Sequence, residues 1–284
     1  MQINEIRVFS RATGYTPVDD LAFVGLPPAK EFLPPANYTV SVSVVWTWDI
    51  PIARQLVKEW GKYYKNIKVG GPAFNDMGGE FVPGRFTRKG LVFTSRGCNR
   101  KCPWCYVQQR EGRLRELKVN DGYVIEDSNL LMCSNEHIRS VFKMLRKNHK
   151  EAFFNGGFDA RLFKKWHLDL LESIKVGEIF FACDKKEVLP YLKKITPLLM
   201  DKPQSWRYCY VLLGWEETLK QAKERLSEIK NLGFFPIPML LQKNKFVHHN
   251  QKWKDLAKEF SVPTKYMQLV NNWQKECLER IKKR

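Results

Sequence analysis

Three cysteines stand within eight residues in Thr94-Ser95-Arg96-Gly97-Cys98-Asn99-Arg100-Lys101-Cys102-Pro103-Trp104-Cys105-Tyr106, at the spacing C-x3-C-x2-C. Clustered thiolates are soft ligands, and iron–sulfur clusters prefer them. A cubane [4Fe-4S] cluster asks for one ligand per iron, so three protein thiolates leave one iron open to a small molecule with an amino and a carboxylate group. A structural zinc site would close with a fourth ligand. No second C-x-x-C pair and no adjacent histidine supplies one, the nearest being His137. Arg96, Arg100 and Lys101 flank the thiols. Such cations favour thiolates and suit an exposed loop. The competing readings are three small core residues or a zinc site.

The elements around the cysteines must hold them. A strand pattern at 91–95 runs straight into the motif, and further strand patterns follow at 123–127, 152–156, 178–183, 207–213 and 234–241. Helical patterns lie between them. Ser134–Asn148 has Ile138, Val141, Phe142 and Leu145 on one face, with Ser134 as N-cap. Arg161–Ile174 repeats Leu162, Trp166, Leu170 and Ile174, and Glu216–Asn231 repeats Leu219, Ala222, Leu226 and Ile229 before the stop at Gly233. Apolar strands alternating with amphipathic helices predict an α/β fold with a helix-covered parallel sheet. Six such units fit a partial (β/α)6 barrel, in which active residues sit where strands end.

The first 85 residues read differently. Residues 1–37 are Pro-rich and predicted irregular. Tyr38–Trp46 reads as a strand, Ile50–Tyr64 as a helix with Ile52, Leu56 and Trp60 inward, and Asn66–Val69 as a second strand. This predicts a small strand–helix–strand region over 1–85, closed by Gly70-Gly71-Pro72. The barrel and a C-terminal helical extension then occupy 86–284.

Composition bounds the partners. Of 284 residues, 44% are apolar and 13% aromatic, enough for a sizeable core and against disorder. No apolar run is long enough to span a membrane. Met1-Gln2-Ile3-Asn4-Glu5 lacks an apolar signal-peptide core. Seven cysteines, an odd number, argue against a disulfide framework and for a reducing, cytoplasmic setting. The formal charge of +18 attracts polyanions, although the sequence carries no zinc finger, helix-turn-helix or aromatic RNA-binding motif.

At Cys98, Cys102, Trp104 and Cys105 the chain resembles the radical S-adenosylmethionine (SAM) superfamily, whose signature is C-x3-C-x-aromatic-C. Thr94-Ser95-Arg96-Gly97-Cys98 is similar to the subgroup with a cobalamin-binding-like N-terminal domain. The resemblance covers about residues 86–245. It implies a [4Fe-4S] cluster on the three cysteines, SAM as co-substrate, and a reducing partner such as a flavodoxin or ferredoxin. It implies Trp104 and Tyr106 beside the adenine, with ordinary rim packing as the alternative. It points to Asp127 and Asn129 for the SAM amino group, or else to a plain Asp-Ser-Asn turn. Asn155, Gly156, Asp159 and Arg161 would meet SAM or substrate, unless Asp159 only caps the next helix. Gly214 would end the strand backing the adenine, or mark a simple turn. Val69-Gly70-Gly71-Pro72 resembles part of a cobalamin domain, but residues 1–85 hold no histidine, so cobalamin is not expected.

Cys133, Cys183, Cys209 and Cys277 are dispersed and read as buried thiols, with a weaker hydrogen-donor or substrate role for Cys183-Asp184. His248-His249 reads as solvated. The leading function is an enzyme that starts radical chemistry from SAM. An iron–sulfur electron-transfer or sensing protein, and a basic nucleic-acid-binding module with a structural cluster, are the alternatives. The charge admits a nucleic-acid substrate, and no motif names the substrate.

Overall fold

A computed structural model describes residues 4–76, 80–241 and 249–261. They fall into two compact units, one ending at Leu91 and the other beginning at Val92. His248, Cys277, the basic run Arg280-Ile281-Lys282-Lys283-Arg284 and most of the expected C-terminal extension lie outside the described residues.

The first unit is a four-stranded sheet, β1 (Glu5–Phe9), β2 (Ala22–Val24), β3 (Thr39–Ser43) and β4 (Ile67–Gly70), in the order β2-β1-β3-β4. Every pairing in it is parallel. Helix α1 (Ile50–Trp60) crosses from β3 to β4, starting with Pro51 in its first turn, where the missing N–H costs nothing. It buries Ala53, Leu56 and Trp60 against Ile6, Val8, Val40 and Val42, while Ile52, expected inward, is exposed. The Trp60 indole meets Phe23 edge-on at 5.3 Å and donates to the Gly25 carbonyl at 3.1 Å.

Two of these strands overturn the expectation of an irregular segment over 1–37. Strand β1 is fully buried although it contains Glu5 and Arg7. Each charge is satisfied inside the unit. Glu5 accepts from Ser41 Oγ and Arg85 Nε, both at 2.7 Å, and Arg7 pairs with Asp19 and donates to the Arg85 carbonyl. Buried charges persist when they are paired and hydrogen-bonded. Polar letters therefore hid a core strand.

The second unit is built on a six-stranded sheet in the order β12-β11-β10-β9-β8-β5. These strands are β5 (Leu91–Val92), β8 (Val124–Ile125), β9 (Ala152–Phe158), β10 (Val176–Ala182), β11 (Tyr208–Leu213) and β12 (Phe235–Leu240). The pairs from β8 to β12 are all parallel. A short antiparallel ribbon, β6 (Ser95–Arg96) with β7 (Arg115–Glu116), stands apart from the sheet and brackets the cysteines together with α2 (Val107–Glu111).

Helices α3 (Asn135–Asn148), α4 (Lys165–Glu172), α5 (Leu189–Leu199), α6 (Leu219–Asn231) and α7 (Gln251–Phe260) complete the unit. Ser134 caps α3 as expected, accepting from the His137 N–H. Helix α4 starts at Lys165 rather than Arg161, because Asp159 holds residues 159–162 in a turn through the N–H groups of Arg161 and Leu162. Helix α6 starts at Leu219 rather than Glu216, since Gly214 (φ +85) and Glu216 (φ +47) take left-handed backbone. Helix α5 is an element that the apolar spacings above did not include. It tolerates Pro190 in its first turn and buries Leu189, Leu192, Ile195 and Leu199. No helix among the described residues is long and apolar enough to cross a membrane.

Helix α4 carries a pH-sensitive core group. His167 is buried beside Trp166 and Phe163, and its Nδ1 accepts from the Lys164 N–H at 2.9 Å. Burial, with a smaller push from Lys164, lowers its pKa from 6.5 to about 4. Between these values the unfolded chain binds a proton that the folded chain rejects. Stability from this group is therefore full above pH 6.5 and is lost as pH falls toward 4. The loss approaches about 3 kcal/mol. His167→Gln is expected to flatten the dependence of thermal midpoint on pH in that window. Parallel curves for the two proteins would count against it.

Candidate active site on the cysteine loop

The loop is positioned from below by one carboxylate. Asp127, just after β8, is 2% exposed. It accepts from the Thr94 N–H at 2.6 Å, Thr94 Oγ1 at 2.5 Å and Ser95 Oγ at 2.9 Å. Burial pushes its pKa up against the pull of these donors. Both oxygens are thus committed to the segment that launches the cysteines. This corrects the expectation that Asp127 holds the SAM amino group: the side chain clamps the loop base. His137 Nε2 lies 3.2 Å from Thr94 Oγ1 and extends the buried network.

A second carboxylate closes the loop. Glu111 accepts from Arg96 Nη1 and the Gly97 N–H, both at 2.8 Å, and from Ser128 Oγ at 3.0 Å. Gly97 has φ +80, and a Cβ there would sit 2.3 Å from the Arg113 carbonyl oxygen. Only glycine lets the two limbs touch. Asn99 Oδ1 accepts from the Leu114 N–H at 3.1 Å and ties the limbs again.

The three thiols differ in setting. Cys98 is buried, Cys102 half-buried and Cys105 exposed. The Cys98 sulfur receives the Arg100 N–H at 3.4 Å and Asn129 Nδ2 at 3.7 Å. Burial raises the pKa of Cys102, and the negative charge of Cys105 and Cys98 adds to this while Arg161 opposes it. Partial desolvation of its sulfur also raises Cys105, although the residue is exposed overall; the N–H contact from Val107 opposes the shift and Cys98 and Asp184 reinforce it. The expectation that flanking cations favour thiolates is corrected here. Arg96 is spent on Glu111 and Arg100 on Asp159. Metal binding would have to displace protons from Cys102 and Cys105.

The donor set suits iron: three thiols on one loop, with a buried amide beside the first. Asn129 is buried, and its Oδ1 has no hydrogen-bond partner among the described residues. An orphaned buried acceptor signals a missing donor. Among the described residues no three His, Cys, Asp or Glu groups are gathered closely enough to hold a metal as they stand. Seating a cluster thus requires side-chain movement in the loop, which the exposed Cys105 end permits.

The remaining expected residues divide. Trp104 faces inward: its Nε1 donates to Asp184 Oδ2 at 3.2 Å, its ring lies 5.7 Å from Trp215, and Lys185 Nζ stands 5.1 Å over it. Tyr106 is 42% exposed, with the Arg110 guanidinium 5.5 Å from its ring. Asp159 is buried and holds both Arg100 (3.0 Å) and Arg161 (2.7 Å), so it orders two cations near Cys102. The ion pairs hold its carboxyl below its ordinary value although burial alone would raise it. Asn155 donates to Glu126 Oε1 at 2.6 Å. Gly156 is corrected: a Cβ would stand 1.7 Å from the Asp127 carbonyl oxygen, so strand packing, not ligand approach, demands glycine. Gly214 donates to Glu217 Oε1 at 3.2 Å in the turn that follows β11.

Residue spacing gave little warning of Glu111 and Arg225, and it marked Asp184 only through Cys183-Asp184 at a strand end. Asp184, two residues after β10, binds Trp104 and accepts from the Leu212 N–H at 3.0 Å. Burial raises its pKa. Arg225, on the inner face of α6, is buried and donates to the carbonyls of Cys183 and Leu212 and to Glu217. Asp184, Lys185, Trp215 and Arg225 border a cavity of ≈ 350 Å³ at this end of the sheet. Cys133, Cys183 and Cys209 are buried free thiols, with Cys133 pushed up to about 11 and Cys183 to about 12, chiefly by burial. His249 is not simply solvated: its Nε2 lies 2.7 Å from the Leu241 carbonyl.

Neither models of known protein families nor curated proteins give a match to this chain.

Proposed function

We propose that this protein is a radical SAM enzyme. The observation that carries the reading is the cysteine loop. Three thiols follow the first strand of the sheet, at the spacing C-x3-C-x2-C, and the Cys98 sulfur accepts two N–H groups. The consecutive strand order from β5 to β12 supports the finer description as a partial (β/α)6 barrel. Six free thiols among the described residues suit a reducing, cytoplasmic setting.

Cys98, Cys102 and Cys105 would hold a [4Fe-4S] cluster, which with bound SAM supplies reductive cleavage to methionine and a 5′-deoxyadenosyl radical. Asn129 Oδ1, buried and unpartnered, would accept from the SAM ammonium, while its Nδ2 stays on Cys98. Arg161, held by Asp159 and close enough to lower the Cys102 pKa, would face the carboxylate. Trp104, fixed by Asp184 and backed by Trp215, offers a flat apolar wall that excludes water from a reactive intermediate. These residues orient and shield, and the cofactor carries the chemistry. A flavodoxin- or ferredoxin-like donor would supply the electron. Cobalamin is not part of the proposal.

The test is spectroscopic. Protein reconstituted anaerobically with iron and sulfide, then reduced, is expected to show an EPR signal that changes on adding SAM, with 5′-deoxyadenosine formed. A signal indifferent to SAM, with no product, would overturn the reading in favour of electron transfer or a structural cluster.

A further inference from the structure

The loop that holds the thiols also carries an unusual charge distribution. It has two carboxylates between Arg96 and Lys118, of which Glu111 is half-buried and Glu116 is exposed. Glu111 is taken by Arg96, the Gly97 N–H and Ser128. Glu116 accepts from the Ser134 N–H at 2.5 Å and stands 3.8 Å from His137. Lys101, Arg110, Arg113, Arg115 and Lys118 are all exposed. None of the five forms an ion pair with a described residue. Folding therefore leaves the loop's exposed face with five cations against one carboxylate, Glu116.

We infer that this face binds the phosphate backbone of a single-stranded nucleic acid and brings it to the thiol site. The cations spread over α2, the turn after it and β7, which suits a chain of phosphates rather than one compact anion. The formal charge of +18 adds long-range attraction of the same sign. Cys98 is buried, so a reacting nucleotide must leave any stack to approach the site. That favours a single strand over a duplex. The inference rests on the proposed radical chemistry only for what happens after binding.

The test is fluorescence anisotropy with labelled oligonucleotides of about 16 residues, DNA in one arm and RNA in the other. The full-length protein as purified is titrated across a range of salt. Each phosphate contact on a single strand contributes about 0.7 to the slope of log K against log salt. Arg110→Gln, Arg113→Gln, Lys118→Gln together are expected to make the slope shallower by about 2, and Arg113→Gln alone by about 0.7. The single variant keeps the test sound if the triple variant is misfolded. Binding with an unchanged slope in the variants would overturn the assignment to this loop. Failure of both oligonucleotides, with binding to anionic phospholipid vesicles instead, would overturn the nucleic-acid partner. Neither readout needs iron. Failure of the radical chemistry would appear only in the EPR and 5′-deoxyadenosine measurements.

Discussion

The Cys98→Ala, Cys102→Ala, Cys105→Ala variant, reconstituted with iron and sulfide, is expected to retain no cluster and to form no 5′-deoxyadenosine. Wild type should do both. Thiolates are the ligands that iron–sulfur clusters require, and the other described cysteines cannot substitute. Cys133, Cys183 and Cys209 are buried, and burial disfavours their thiolates. A Cys133→Ala variant should accordingly hold as much iron as wild type. Among the single variants, Cys98→Ala should do the most harm to cluster retention, because Cys98 is the thiol already held in place by two donors. Equal iron and equal absorption in the triple variant and wild type would sink the assignment.

The second large effect is expected at Asp127. Asp127→Ala leaves the Thr94 N–H, Thr94 Oγ1 and Ser95 Oγ buried without their acceptor. Each unsatisfied buried group costs about 1–3 kcal/mol, so with three of them the loop base should lose about 3–9 kcal/mol of local stability. The measurement is amide hydrogen exchange in a peptide spanning 91–97, with iron content recorded beside it. The variant should exchange faster there and retain less cluster, although Asp127 is not a ligand. Asp127→Asn should fall between, since it keeps one acceptor oxygen but turns an NH₂ group toward donors. Unchanged exchange in the alanine variant would show that the clamp is not what holds the loop.

The cysteine motif was legible because metal ligation depends on residue type and short spacing, and both are written locally. The helices over Ser134–Asn148 and Glu216–Asn231 were legible for a similar reason, since buried positions repeat along one face. Strands β1 and β2 were not. Glu5 and Arg7 look like surface residues until Ser41, Arg85 and Asp19 are brought to them from distant positions. Asp127 shows the same limit within the site. Its acidic side chain suited an ammonium, but a neighbouring strand consumes both oxygens. Gly156 looked like room for a ligand, and the adjacent Asp127 backbone fills that room. Spacing identifies who can do chemistry. Tertiary neighbours decide which of those groups remain available.

The strand order of the second unit has a consequence for biosynthesis. Each of its parallel strands pairs with strands made just before or after it, so the sheet can grow one strand at a time as the chain emerges. The cysteine loop is less fortunate. Its base needs Asp127, 33 positions after Thr94, and its Trp104 needs Asp184, 80 positions later. At ribosomal rates of about 5–20 residues per second, Trp104 waits about 4–16 seconds for its partner. Through that interval the nascent loop presents its thiols unanchored. Iron delivered during translation would meet a ligand set not yet assembled, and iron delivered afterwards would meet a loop pinned at Cys98, with Cys105 exposed.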